Sequence, residues 1–325
     1  MSKYEELIKK ARKNFLKLTI DQKQEIFHIY TAAIDELSSE AKKSKDGTLT
    51  QRWLIDYTKA LKKARDNMQK ELSSNINEYI GKAAEEAIVP DTELFKDISK
   101  FVDLGPHFTE MFSRVPEDVL SVMIKGRLYK DHKSLSKRIW KLTNEFGQNI
   151  DYVIKRAMAE KKTAYELAKD LEEFVKPESR RSWNWGKVYP NMRNVQIDYN
   201  AQRLARTAIT HGFREAQYQA AKKNPFVKAI HWELSPQHYE RQVKKWGEDI
   251  CDEYARHDEG LGKGNFKIDE VPIGHPGCLC PTWPVIVKSI DDIVAELKEW
   301  VRNPEGNKKL NDWYENVYKK EIARR

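Results

Sequence analysis

Long apolar runs are missing from this chain. No stretch approaches the ~18 consecutive apolar residues of a membrane-spanning helix, so no membrane span is expected. The opening MSKYEELIKK holds no apolar core of the kind a secretory leader carries. Cysteine is scarce, with three among 325 residues, too few for a disulfide framework. Both absences point to folding in a reducing cytoplasm. The 14 glycines follow no period, which excludes a collagen-like repeat. No self-similarity at a spacing of roughly 20–50 residues marks a solenoid.

What is present fits a large globular chain. Hydrophobic residues make up 40% and aromatics 10%, enough to exclude wholesale disorder. The net charge is +8, mild enough to permit a polyanionic partner without demanding one. It is unevenly spread. Residues 101–250 carry 27 Lys and Arg against 19 Asp and Glu, whereas residues 251–300 carry 5 against 10. The densest basic run is Lys125, Arg127, Lys130, Lys133, Lys137, Arg138 and Lys141, opposed only by Asp131. It reads either as a solvated helix face or as a footprint for nucleic acid, with Tyr129 and Trp140 nearby for stacking.

The first two-thirds reads as helix. Tyr4, Leu7, Ile8, Ala11, Phe15 and Leu18 recur at steps of three and four, and so do Tyr30, Ala33, Ile34 and Leu37. A turn cluster at 44–48 leads to a long amphipathic stretch over 49–88, which Pro90 is expected to end. Pro116-Glu117-Asp118 looks like a helix start, and Thr163–Glu166 has capping-box spacing. Residues 179–194 form a basic, aromatic loop, and a helix follows over 195–223. After Pro225 the texture changes. Residues 227–234 alternate like a strand, 256–277 are Gly-rich and irregular, and 283–287 suggests a second strand. Ser289–Asp292 opens another helix, and the basic tail is helix-compatible. The expected fold is α+β and mostly α. Its parts are an N-terminal helical region (1–115), a central helical region (116–223), a small Cys/His module (224–288) and a helical tail (289–325).

Every cysteine lies in the small module. His275-Pro-Gly-Cys278-Leu-Cys280 follows Cys251, and zinc favours tetrahedral sulfur and nitrogen ligands. Side chains two apart on an extended strand are separated by about 6.6 Å, too far for thiolates on one zinc. The C-x-C pair must therefore occupy a turn, which Gly277 and Pro281 favour. The expected site is one structural Zn2+ on Cys251, His275, Cys278 and Cys280, against the plainer reading of reduced, buried thiols. The module is too loop-rich to hold itself by apolar packing alone.

Other constellations carry less. His231-x-Glu233 with a later Pro and Cys pair approaches the zinc-deaminase signature, but its helix and cysteine spacing are missing. His238, Asp249, Asp252, His257 and Asp258 can gather as a hydrolytic cluster, but a solvated acidic loop is the better account of them, since nothing in the spacing fixes their mutual geometry. Gly260-Leu-Gly262-Lys-Gly264 lacks the strand-turn-helix context of a phosphate loop. Arg203, Arg206, Thr207 and Arg214 form a polar stripe on the 195–223 helix. The stripe serves ordinary amphipathic packing, or one of its arginines pins the Cys/His module through Asp249 or Asp252. No convincing catalytic constellation emerges.

RLARTAITHGFREA (203–216), WELSPQH (232–238), DICDEYA (249–255) and HPGCLC (275–280) occur in this order. Upstream stand GRLYKDHKSLSKRIW (126–140) and AMAEKKTAYELAKDL (157–171). Across roughly 117–285, the series resembles the bacteriophage head-morphogenesis family of Mu F-like minor head proteins. Many members carry a further cysteine three residues after the first, where this chain has Tyr254. The fourth ligand then falls to His275 or to His257. The resemblance implies a structural protein made in the host cytoplasm that ends in the virion head interior. It implies portal protein and other head proteins as partners, with packaged double-stranded DNA close by, and no established catalysis. A free-standing DNA-binding protein and a metal-dependent nuclease or hydrolase are the alternatives.

Overall fold

Apolar residues spaced by three and four become helix where the resulting stripe can be buried. The structure is a computed structural model and describes residues 3–44, 48–105, 107–175 and 199–324. Among the described residues, six helices come first: α1 (Lys3–Ala41), α2 (Gln51–Ser99), α3 (Val115–Lys125), α4 (Leu135–Ala159), α5 (Ala164–Val175) and α6 (Tyr199–Lys223). A three-stranded antiparallel sheet follows, built from β1 (Ala229–Trp232), β2 (Asn265–Phe266) and β3 (Thr282–Val285), with β1 in the middle. α7 (Ile250–Arg256) lies between β1 and β2 in the chain. The tail holds α8 (Ile290–Arg302), α9 (Lys308–Trp313), a π-helical turn at Tyr314–Tyr318 and α10 (Lys319–Ala323). The fold is α+β and mostly α, as the sequence pattern predicts. Among the described residues, no helix is long and apolar enough to cross a membrane.

The start signals read from sequence hold. Thr163 and Glu166 cap each other, with Glu166 accepting from the Thr163 amide at 2.7 Å. Ser289 and Asp292 form the same reciprocal box at the head of α8. The expected stop at Pro90 is corrected: α2 continues through it to Ser99. A mid-helix proline costs about 3 kcal/mol, and here the turns beyond it bury Leu94, Phe95 and Ile98. Phe95 stacks on Phe108 at 4.3 Å and meets Phe112 edge-on at 4.8 Å. The basic, aromatic loop at 179–194 lies outside the described residues, as does the expected helix start at 195–198.

The chain forms two compact units. One comprises Met1–Thr19, Tyr79–Val122 and Thr207–Arg325, the other Ile20–Glu78 and Met123–Arg206. In the first, Phe15 packs on Phe213 at 4.5 Å. The tail is tied in by Trp313, whose indole donates to the Lys223 carbonyl at 2.8 Å, and by Tyr318, which donates to Leu104 O at 2.8 Å. In the second, Tyr30 meets Phe146 edge-on at 5.7 Å, and Ser38 donates to Glu172 at 2.8 Å. The sheet and all three cysteines belong to the first unit.

Candidate metal centre

The cysteines reach one place by three local devices. Asp249 caps α7 and accepts from the Cys251 amide at 2.8 Å, which sets Cys251 in the first helical turn. Gly277 takes a left-handed φ of +79°, and the Cys278 amide returns to His275 O at 3.2 Å, so Cys278 leaves a tight turn. Cys280 follows just before β3, which pairs with β1 from Thr282 to Val285. The C-x-C pair therefore occupies a turn, as thiolate spacing requires.

The three sulfurs lie within 4.8 Å of one another, with Cys251 and Cys278 at 3.4 Å. Cys251, Cys278 and Cys280 are 0%, 3% and 2% exposed. Two ligands on one tetrahedral zinc, each about 2.3 Å from the metal, are separated by about 3.8 Å, so the spacing fits a shared ion. Two further groups adjoin the cluster. Asp249, Cys251 and His275 come together, as do His238, Asp249 and Asp252. The cysteines with these histidines and acids are close enough to hold a metal ion.

A buried cation answers the thiols. Arg214, 1% exposed, donates to Cys278 Sγ at 3.1 Å, to Cys280 O at 2.6 Å and to Ile273 O at 2.5 Å. Its guanidinium lies 4.4 Å from the centre of the Trp232 ring. The sequence expectation that a stripe arginine pins the module is met by Arg214, with a correction. Its partners are a sulfur and two carbonyls, not Asp249 or Asp252. Gly274, at φ +93°, makes the room, since a Cβ there would collide with the guanidinium. Thr207, one face-repeat earlier on α6, accepts from the Gly277 amide at 3.0 Å. Arg203 is exposed and Arg206 half-buried, and both lie in the other unit.

The electrostatics concentrate one negative charge on the trio. The hydrogen bond with Cys251 holds the Cys278 thiol well below its ordinary range, assisted by Cys280, His275 and Arg214. The same bond pushes Cys251 far up. At Cys280 the Cys251 contact works downward, but Cys278 and burial prevail and push it up to about 11. Burial works against the Arg214 charge, and Cys278 more than restores it. Burial, then Arg214, lowers His211 on the same helix to about 3, which keeps it neutral.

Of two further side chains in this site, one carried no sequence signal and the other was read for a different role. Arg12 of α1 donates to Leu279 O at 2.5 Å, and burial, then Arg214, lowers it to about 10. It lies 267 residues away in sequence, and nothing local marks it. His238 meets Asp252 at 2.9 Å and approaches Cys280 Sγ at 3.8 Å. The sequence had grouped His238 with the acids for hydrolysis, and the structure turns its other nitrogen toward the thiols. His275 is half-buried beside Cys278 and Asp249. His257 stacks on Phe266 at 4.1 Å and belongs to none of the three ligand groups. Tyr254 packs its ring edge-on to Trp232 at 5.0 Å.

The basic run lies in the other unit. Lys125, Arg127, Lys130, Lys133, Lys137 and Lys141 are exposed. Arg138 is committed to the fold, paired with Asp131 at 2.5 Å and stacked on Tyr129 at 4.5 Å. Comparison with family models, curated proteins and solved structures returns no match.

Proposed function

We propose that this chain is a bacteriophage minor head protein that acts in head morphogenesis and carries a C-terminal module knit by one structural zinc ion. One observation carries the reading. Four of the sequence pieces that together resemble the Mu F-like family, 203–216, 232–238, 249–255 and 275–280, are separated in the chain, yet they converge. Thr207 and Arg214 of the first piece clasp the HPGCLC loop, and Cys251 of DICDEYA meets Cys278 at 3.4 Å. Chance matches have no reason to close round one point. Cys251, Cys278 and Cys280 supply three ligands, and a histidine of the module supplies the fourth.

Burial supports a structural metal, because structural zinc sites are closed whereas catalytic ones keep an open position. Need supports it too. The apolar cluster round the cysteines adds only Trp232 and Phe266 as fully buried members. A metal stabilises such a small core where packing is thin. The proposed partners are the portal protein and other head proteins, with packaged double-stranded DNA beside the exposed lysines of residues 125–141. The proposed location is the host cytoplasm during assembly and the virion head interior afterwards. Quantitative mass spectrometry of filled heads and empty proheads from the source tests this directly. A few to some tens of copies in both is the expected result. Absence from both would overturn the head-protein reading and bring a free-standing DNA-binding protein forward.

A further inference from the structure

Two histidines compete for the fourth position of the cysteine cluster, and their surroundings differ. His275 is 34% exposed at its side chain, and its ring faces acceptors. Nε2 lies 3.3 Å from Asp249 Oδ2, and Nδ1 lies 3.1 Å from the Pro276 carbonyl. The ring also hydrogen-bonds with Cys278 and comes within 4.8 Å of Cys251 Sγ. Both ring nitrogens of His275 are turned toward oxygen atoms, and a neutral ring, with one N–H and one lone pair, would have to turn away from one of them to ligate a metal.

His238 has the opposite arrangement. Its side chain is 7% exposed. Nε2 meets Asp252 Oδ2 at 2.9 Å, and Nδ1 lies 3.8 Å from Cys280 Sγ. A proton on Nε2, donated to the carboxylate, leaves the Nδ1 lone pair toward the thiols. Sulfur and nitrogen sharing one tetrahedral zinc are about 3.6 Å apart. The carboxylate is itself fixed, because Asp252 Oδ2 also accepts from the Asp249 amide at 2.8 Å in the α7 capping box. Carboxylate, imidazole and metal in line is the common outer support of a zinc-bound histidine.

We propose that the zinc ligands are Cys251, Cys278, Cys280 and Nδ1 of His238, with Asp252 as the positioning residue and His275 outside the ligand set. The assignment rests on the proposal that the three thiolates hold zinc. It makes α7 a double support, since its first turn supplies one ligand and orients another. It also gives the SPQH segment, which the sequence reading did not place among the metal ligands, its part in the site.

The test uses the full chain. Zinc content is measured by elemental analysis, affinity by competition with a chromophoric chelator, and geometry by the visible spectrum of the cobalt(II) form. His238→Ala is expected to weaken zinc binding at least 100-fold and to shift the cobalt bands. His275→Ala is expected to stay within about threefold of wild type and to keep the spectrum. His238→Cys should recover binding with a four-thiolate spectrum, which separates lost ligation from lost folding. Asp252→Asn should weaken binding by roughly 10–100-fold without changing the ligand count. Should His238→Ala fail to fold, unchanged affinity in Asp252→Asn would overturn the proposal. A wild-type spectrum in His238→Ala, or its loss in His275→Ala, overturns this assignment alone. A wild-type chain that takes up no zinc overturns the metal reading with it.

Discussion

Arg214 shows how one side chain orders a loop that has little packing of its own. It is fully buried, and its fork spans two carbonyls and a sulfur from residues 273–280. A buried cation is tolerated only when its donors are matched, and this one is matched by the atoms that shape the cysteine turn. Arg214→Ala leaves those acceptors dry and the thiolate charge unanswered. It is expected to cost roughly 3–5 kcal/mol in urea unfolding followed by circular dichroism. Arg214→Lys should recover only part of this, because a lysine cannot span three acceptors in one plane. Full recovery would show that charge alone matters. At this scale the sequence was half legible. The cysteines announced themselves by spacing, and Arg214 by its place on a polar stripe. Its partners were misread because acids are the usual answer to arginine, and nothing local reveals that a thiolate and bare carbonyls wait 60 residues later. Arg12 was invisible, since a contact over 267 residues leaves no local pattern.

At the scale of elements, α2 holds the clearest lesson. Proline should end a helix, and Pro90 does not, because the turns beyond it are wanted in the aromatic core round Phe95. Asp91, the next residue, is fully buried. Its Oδ1 accepts from Tyr4 of α1 at 3.0 Å and from Asn224, just past α6, at 2.7 Å. Burial raises its carboxyl from 3.8 to about 6, against the pull of those two bonds. Between about pH 4 and pH 6 the folded chain therefore keeps a proton that the unfolded chain releases. Stability from this group falls as pH rises through that window, by a total of about 3 kcal/mol. Asp91→Asn keeps both bonds on Oδ1 and removes the charge. It should erase this part of the slope in unfolding measured from pH 4 to 7, and be at least as stable as wild type at pH 7. A variant whose slope matches wild type would contradict the account. Helix starts were legible at Thr163 and Ser289 because these caps act within four residues. β2 was not, because it is two residues long and exists only by pairing Asn265 with His231 and Phe266 with Ile230.

At the scale of the molecule, the sequence predicted helical mass and a small sheet, and both are present. It did not reveal that residues from both ends and the middle of the chain build the unit that holds the cysteines. Long helices bring this about, since α1 carries Arg12 and α6 carries Thr207 and Arg214 to one loop. The central claim is that scattered motifs close round a single metal ion and that this ion holds the module together. Native mass spectrometry of the purified full chain, before and after a strong chelator and with iodoacetamide labelling of thiols, tests it most directly. The account predicts one zinc per chain, no labelling of Cys251, Cys278 or Cys280 while it is bound, and labelling of all three once it is removed. A chain that folds without zinc and shows the same labelling pattern with and without chelator would contradict it.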